Sequence, residues 1–116
     1  MEGYGEYYDC KSEMLYIGFF KDNWYNGFGV LRNYLDNYIY IGEWKDNQRD
    51  GVARFYKNKK EGFGKYKNNT KLIKYENYQE CLESLEDKNA YLKEWFTTKK
   101  YDEIVKFTRK MRIMED

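Results

Sequence analysis

An eight-residue stretch of this chain occurs twice. Tyr40-Ile-Gly-Glu-Trp-Lys-Asp-Asn47 is a near copy of Tyr16-Ile-Gly-Phe-Phe-Lys-Asp-Asn23, and the two lie 24 residues apart. The same spacing relates Gly3-x-Gly5 to Gly27-x-Gly29 and to Gly51-x-Ala53. Because self-similarity at a fixed period of about 20 to 50 residues is typical of stacked supersecondary units, the sequence predicts a repeat array rather than one closed domain.

Apolar and polar residues alternate within each copy, as they do in a strand with one covered face. Tyr40, Gly42 and Trp44 fall on one face, whereas Ile41 and Glu43 fall on the other. A Lys-Asp-Asn turn follows both copies, and Asn tolerates the left-handed backbone of tight turns. Each copy is therefore predicted to be a β-hairpin, and the fold class to be mainly β, an antiparallel meander of about six strands.

Glycines alternate with aromatic residues in the predicted strands. Glycine normally weakens a strand, so its presence indicates that something needs the space. We expect a ring from a neighbouring strand to lie over the bare backbone, so that a side chain at Gly18, Gly29 or Gly42 would displace a ring. The alternative, a phosphate-binding glycine loop, is disfavoured because neither a helix pattern nor a Gly-Lys-Ser/Thr ending follows any Gly-x-Gly pair.

The order Tyr-x-Gly-x-aromatic, a turn and then Gly-x-Gly resembles the MORN repeat, named for membrane occupation and recognition nexus. A half repeat precedes one full copy and one copy in which Ala53 replaces the second glycine. Asn23 and Asn47 depart from the family, since they stand where it usually has a turn glycine. The residues that define the repeat are Tyr16, Gly18, Phe20, Gly27, Gly29, Tyr40, Gly42, Trp44 and Gly51.

The repeat rhythm changes after Phe55, because Gly62-Phe-Gly64 comes only 11 residues after Gly51. About one strand is therefore predicted to be missing at this point, which leaves a tight hairpin around Asn58-Lys-Lys60. The array is predicted to span residues 1–67, followed by a connector over 68–76 and a helical segment over 77–116.

Two C-terminal α-helices are predicted from apolar positions at helical spacing. Asn77 and Glu80 form a capping-box pattern at the start of the first helix, which is expected to cover the open end of the array. The second helix begins near residue 99 and carries an apolar seam, which we predict to bind a partner protein with Phe107 as anchor. The seam residues are Ile104, Phe107, Met111 and Met114.

An alternative for the last helix is that it pairs with the first helix of the same chain. Residues 77–98 hold five acidic and two basic side chains, whereas residues 99–112 hold six basic and two acidic ones. Opposite charges on facing helices favour such a pair. Both interpretations, an internal helical hairpin and a partner-docking helix, agree with the sequence.

The composition disfavours catalysis and metal binding. The chain has no histidine and two cysteines, so the commonest acid–base group near neutral pH and the commonest zinc ligand are missing. Cys10 and Cys81 have neither a partner histidine nor CxxC spacing. We predict no catalytic residue, no metal site and no cofactor, and we do not expect an enzyme.

Other patterns bear on partners and location. No uncharged run approaches the roughly 20 residues of a membrane helix, and the acidic start does not resemble a signal peptide, so a cytoplasmic protein without a transmembrane segment is expected. No basic stripe indicates a nucleic-acid partner. Lys57, Lys59 and Lys60 project from one predicted turn and are candidates for weak contact with acidic phosphoinositide lipids, although such a patch usually has about four to eight basic residues.

The resemblance also implies a function. MORN-containing proteins occur in radial-spoke heads of cilia, in membrane junctions, in parasite cytoskeletal rings, and beside lipid-kinase or methyltransferase domains. We therefore expect a non-enzymatic scaffold, an assembly subunit that binds other proteins within a larger cytoskeletal or ciliary complex. The first alternative is a peripheral membrane module that binds acidic phosphoinositides. The second is a regulatory subunit of an enzyme carried on another chain.

Overall fold

The computed structural model describes residues 2–77, Glu80, 103–106 and Thr108. In this part of the chain seven strands form one antiparallel sheet, and each strand pairs with its neighbours in the sequence. The predicted antiparallel meander is confirmed, with one strand more than expected. The strands are β1 (Gly3–Asp9), β2 (Met14–Lys21), β3 (Trp24–Asn33), β4 (Tyr38–Lys45), β5 (Gln48–Lys57), β6 (Lys60–Lys67) and β7 (Thr70–Tyr75).

Tight turns join most of the described strands. The two central residues of each turn have a left-handed backbone, with φ between 49° and 70°. This is the geometry of type I′ turns, whose twist matches the twist of the flanking strands. The turns predicted after Lys21, after Lys45 and around Asn58 are therefore confirmed. The turn pairs are Asp22-Asn23, Asp46-Asn47, Asn58-Lys59 and Asn68-Asn69.

The predicted loss of a strand after Phe55 is wrong. Gly64-Lys-Tyr66-Lys-Asn-Asn69 takes the place that Gly42-Glu-Trp44-Lys-Asp-Asn47 has in the preceding hairpin, and both hairpins have a bulge just after that glycine. Only the connection is shorter, because β5 and β6 are joined by two residues where β3 and β4 are joined by four. The extra strand, β7, lies in the segment that we expected to be a connector.

One side of the sheet, the covered face, packs under the C-terminal segment. Ile104 is fully buried against the apolar residues of this face. Arg32 donates a hydrogen bond to the Thr108 hydroxyl (2.8 Å), and the Tyr34 hydroxyl donates to the Thr108 carbonyl (2.8 Å). The segment is thus fixed to the sheet by polar as well as apolar contacts. The buried residues of this face that form one core cluster with Ile104 are Phe28, Val30, Ile39, Ile41, Val52, Tyr56 and Phe63.

The C-terminal segment is helical at each position that the structure describes, namely Glu80, 103–106 and Thr108. The predicted cap of the first helix is confirmed. The Glu80 N–H donates to Asn77 Oδ1 (3.0 Å), and the Glu80 carboxylate accepts from the Glu76 N–H (2.9 Å). The rest of the two predicted helices lies outside the described residues.

Asparagine side chains join neighbouring hairpins at their turns. The Asn47 N–H donates to the Tyr25 carbonyl (3.0 Å), and the Tyr25 N–H donates to Asn47 Oδ1 (2.7 Å). Asn69 and Arg49 form the same reciprocal pair at the next turn, at 3.0 and 2.7 Å. Glycine would allow the same turn but has no side-chain acceptor. Asn47 and Asn69 therefore each connect their hairpin to the one before it.

Replacing Asn47 by glycine should keep the turn and remove the side-chain bond to Tyr25. We expect Asn47→Gly to lower the free energy of unfolding by about 1 kcal/mol, the typical net contribution of such a hydrogen bond. Asn58→Gly is the matched control, because Asn58 also has a left-handed backbone (φ 51°) and meets the neighbouring hairpin through a backbone N–H, which glycine retains. Urea unfolding measures both variants, and equal losses would contradict the role of the side chain.

Candidate functional site

The other side of the sheet is lined by aromatic side chains, and we call it the aromatic face. Tyr16 stacks on Tyr25 with 3.8 Å between ring centroids, and Trp44 meets Tyr40 edge to face at 5.0 Å. The aromatic residues predicted to share a face therefore do so. The buried members are Tyr16, Phe20, Tyr40, Trp44, Ala53 and Tyr66, and the half-buried residues packed against them are Tyr25, Leu31, Tyr38 and Phe55.

A row of small residues crosses the aromatic face. A Cβ atom added to Gly29 would lie 2.4 Å from the Tyr16 ring, so the prediction of a ring over bare backbone is confirmed there. Gly42 differs, because a Cβ atom there would meet the Ala53 Cβ at 2.7 Å rather than a ring. The small side chains of this row therefore leave room for a ring at some positions and allow neighbouring strands to approach closely at others. Its members, paired from β1 to β6, are Gly5, Gly18, Gly29, Gly42, Ala53 and Gly64.

Two buried tyrosine hydroxyls of the aromatic face find acceptors within their own strands. Bulges in the β2–β3 and β4–β5 pairs turn single carbonyl groups out of the ladder. The Tyr16 hydroxyl donates to the Phe19 carbonyl (2.8 Å), and the Tyr40 hydroxyl donates to the Glu43 carbonyl (2.9 Å). Burial raises the pKa of both tyrosines above its ordinary value, so both hydroxyls remain protonated donors even at an alkaline pH at which an exposed tyrosine begins to ionise.

A basic groove of about 470 Å³ lies where β5, β6 and β7 meet on the aromatic face. Lys71 Nζ lies 4.6 Å from the centre of the Phe55 ring. Two of the three predicted lipid-contact lysines line this groove, whereas Lys59 occupies the turn beside it. β7 supplies the two further lysines. The lining lysines are Lys57, Lys60, Lys71 and Lys74.

Lys71 and Lys74 were not predicted as site residues because they lie in the segment expected to be a connector. A signal was present, since Asn68-Asn69 is the same kind of turn pair as Asp46-Asn47 and therefore predicts one more strand. Because these residues form a strand, Lys71 and Lys74 line the same groove as Lys57 and Lys60, which flank the turn between β5 and β6.

Glu61 borders the groove, but its carboxylate is occupied on the covered face. It forms an ion pair with Arg54 (2.7 Å between Oε2 and Nη2) and accepts a hydrogen bond from the Tyr56 hydroxyl (2.7 Å). Arg54 is only 7% exposed, so this pair is partly shielded from water. The charge that the groove presents to solvent is therefore dominated by its lysines.

Ile104 does not belong to an exposed seam. It is fully buried in the core of the covered face. Thr108, four residues further on, accepts a hydrogen bond from Arg32 of the same sheet. The prediction that Ile104 binds a partner is wrong, because its side chain already covers the sheet of its own chain. Phe107, Met111 and Met114, the other predicted seam residues, lie outside the described residues.

The hairpins match a known repeat. The family model of the MORN repeat matches residues 16–33, 40–58 and 52–70. The chain contains MORN repeats. The first two matches begin at Tyr16 and Tyr40, and the third spans the tight β5–β6 hairpin. No curated protein matches the chain at a significant level. MORN repeats are non-catalytic modules that take part in interactions with proteins and with membrane lipids.

Neither a membrane-spanning helix nor a metal site occurs among the described residues. The helical residues in this part of the chain include no helix with the length and apolar character needed to cross a membrane. No group of three or more His, Cys, Asp and Glu side chains among these residues is placed to hold a metal ion. Among the described residues, the candidate functional surfaces are the aromatic face of the MORN repeats and the basic groove at its β7 end.

Arg49 places a positive charge within the aromatic face. Its Nη1 donates to the Tyr38 hydroxyl (3.0 Å), and its guanidinium carbon lies 5.0 Å from the centre of the Tyr66 ring. In the preceding MORN repeat, Tyr25 takes the position of Arg49 and stacks on Tyr16. The face therefore combines flat rings with a guanidinium group that has both ring and hydrogen-bond partners.

The buried tyrosines predict a loss of stability at high pH. Burial, and then the hydrogen bond to Glu61, raise the pKa of Tyr56 to about 12, above the value of about 10 expected in the unfolded chain. The stability that Tyr56 contributes should therefore be complete below about pH 10 and be lost as the pH rises towards 12. Urea midpoints measured from pH 8 to pH 12 should fall less steeply for Tyr56→Phe than for the wild type. Identical slopes would contradict the assignment.

Proposed function

We propose that this chain is a non-enzymatic scaffold, whose aromatic face binds another protein within a larger assembly. One observation carries the proposal: the rim of the face is half-buried on the isolated chain. Tyr25, Leu31, Tyr38 and Phe55 all retain partial exposure beside a fully buried centre. A partner would cover this rim without any need to reorganise the residues beneath it.

The chemistry of the face resembles that of protein interfaces. Tyr, Trp and Arg are the residue types most enriched at the energetically important positions of interfaces. Tyr38 and Arg49 are already hydrogen-bonded to each other, and Tyr25 is stacked on Tyr16. Such pre-ordered side chains lose little conformational entropy on binding, which favours affinity.

The resemblance refines the proposal to a subunit of a cytoskeletal or ciliary complex in the cytoplasm. We also propose Phe107, Met111 and Met114, which lie outside the described residues, as a second partner-binding element in addition to the aromatic face. Regulation of an enzyme on another chain stays a prediction from the resemblance, since neither the face nor the groove favours it over scaffolding.

Affinity purification of the tagged chain tests the scaffold. The triple variant Leu31→Ser, Tyr38→Ser and Phe55→Ser, which removes apolar area from the rim, should lose its specific partner by about tenfold or more, because the interface would lose several apolar contacts. Trp24→Ser with Leu35→Ser is the matched control, since it removes exposed apolar area (49% and 66% exposed) away from the rim.

Detergent extraction of the same cells tests the location. A cytoskeletal or ciliary subunit should stay with the insoluble fraction together with its partner. Equal partner recovery by the triple variant and the control would overturn the role of the aromatic face, and complete extraction by detergent would overturn the cytoskeletal assignment.

Contact with acidic lipids is the second candidate function, and the basic groove favours it. Four lysines line the groove, which reaches the lower end of the roughly four to eight basic residues of membrane-binding patches. Its volume of about 470 Å³ lies within the range of small-ligand sites, about 300–1,000 Å³. Phe55 offers an apolar surface between the charges.

This second function predicts co-sedimentation with vesicles of phosphatidylcholine containing about 5% phosphatidylinositol bisphosphate, and release as salt is raised. Replacing Lys57, Lys60, Lys71 and Lys74 by Ser should remove most of the binding, since each lysine near the surface contributes about 1 kcal/mol. Lys21→Ser with Lys45→Ser is the control, because both lysines are exposed beside other turns and neither of them lines the groove. No binding by the wild type at physiological salt would exclude this function.

A further inference from the structure

Among the described residues, the two outer strands of the sheet have open edges. β1 and β7 lie at the ends of the strand order, and no other described strand pairs with their outer sides. Both strands expose apolar side chains: Tyr4 and Tyr7 on β1 are 58% and 49% exposed, and Leu72 and Ile73 on β7 are 59% and 45% exposed. An open edge with exposed apolar residues is a template for pairing with another strand.

The two ends of the sheet carry opposite charge. Residues 2–22 hold five acidic and two basic side chains, a net charge of −3. Residues 57–75 hold seven lysines and one glutamate, a net charge of +6. The glutamate, Glu61, is paired with Arg54 outside that range. The sheet is therefore an electrostatic dipole along the direction in which its strands are stacked.

We propose that copies of this chain associate head to tail, with β1 of one copy pairing alongside β7 of the next. The charges fit this arrangement and disfavour the symmetric ones, because β1 against β1 would bring acidic strands together and β7 against β7 would bring lysines together. Each open edge is then paired with the opposite edge of a second copy.

The side chains complement each other on both faces of the extended sheet. Tyr7 and Asp9 lie on the aromatic side of β1, as their pairing with Tyr16 and Met14 shows. Lys71 and Lys74 lie on the same side of β7, where they pair with Tyr66 and Gly64. On the covered side, Tyr4 and Glu6 would face the apolar Ile73.

Head-to-tail pairing is a heterologous contact, and it extends without closing unless the accumulated rotation forms a ring. The contact involves a single pair of strands and charges that are open to solvent. Association should therefore depend on concentration and weaken with salt, since charges further apart than about 8 Å are screened at physiological ionic strength. This inference stands apart from the scaffold proposal, because its test uses the purified chain without any partner.

Charge reversal at each edge tests the pairing. Lys71→Glu with Lys74→Glu makes both edges acidic, and Glu2→Lys with Glu6→Lys makes both edges basic. Sedimentation velocity of the full chain at low salt should show concentration-dependent oligomers for the wild type and at least about tenfold weaker association for each variant alone. An equimolar mixture of the two variants should recover association, since each acidic edge again meets a basic one.

The mixture guards against loss of folding as the cause, because misfolded variants would not recover. This matters for Glu2, which accepts a hydrogen bond from the Asp22 N–H (2.8 Å). Lys45→Glu is the control: it reverses an exposed lysine at the end of the central strand β4, away from both edges, and should leave association at the level of the wild type.

Hydrogen exchange supplies the backbone readout. Amides of β1 and β7 should become more protected as the protein concentration rises, whereas amides of the central β4 should not change. A wild type that stays monomeric up to about 1 mM, or a mixture of variants that fails to associate, would overturn the proposal. Association with no added protection in β1 and β7 would overturn it as well.

Discussion

A row of small residues across the sheet is the constraint on which the packing of the array depends. At Gly18 a Cβ atom would lie 2.4 Å from the Gly29 Cα, which no real contact allows. Above this row, rings from the two flanking rows meet: Tyr16 and Phe20 are 5.1 Å apart, and Tyr40 and Trp44 are 5.0 Å apart. A single sheet thereby builds an interior from its own side chains, where most sheets need a second layer.

The two glycines of each Gly-x-Gly pair act in different ways. Gly27 and Gly51 have φ values of 95° and 113°, which residues with a side chain rarely adopt, and they lie within the bulges of their own strands, β3 and β5. Gly29, in contrast, leaves room for the Tyr16 ring. The bulge also frees the carbonyl that the buried Tyr16 hydroxyl needs, so backbone shape, ring packing and hydrogen bonding depend on one another.

Local patterns allowed much of this fold to be predicted from the sequence. Alternation of residue types fixed the faces of β2 and β4, and the Asp-Asn pairs fixed the turns, because both effects act within a few residues. The structure of Thr70–Tyr75 was missed because its sequence lacks the Gly-x-Gly pair, and strand pairing with β6 outweighs local preference there. Ile104 was misplaced because helical spacing defines a stripe but not the surface against which that stripe packs.

The last hairpin shows why the basic groove required the structure. Gly62 takes the position that Tyr40 has in the preceding MORN repeat, and Lys74 takes the position of Ala53. Phe55 and Lys71 fill the space left by the missing ring, with Lys71 Nζ 4.6 Å from the ring centre. The end of a repeat array needs a polar surface, because no further repeat buries it. The lysines of β7 supply this polar surface. Gly62, which stands where the preceding repeat has the Tyr40 ring, also leaves space for the groove that these lysines line.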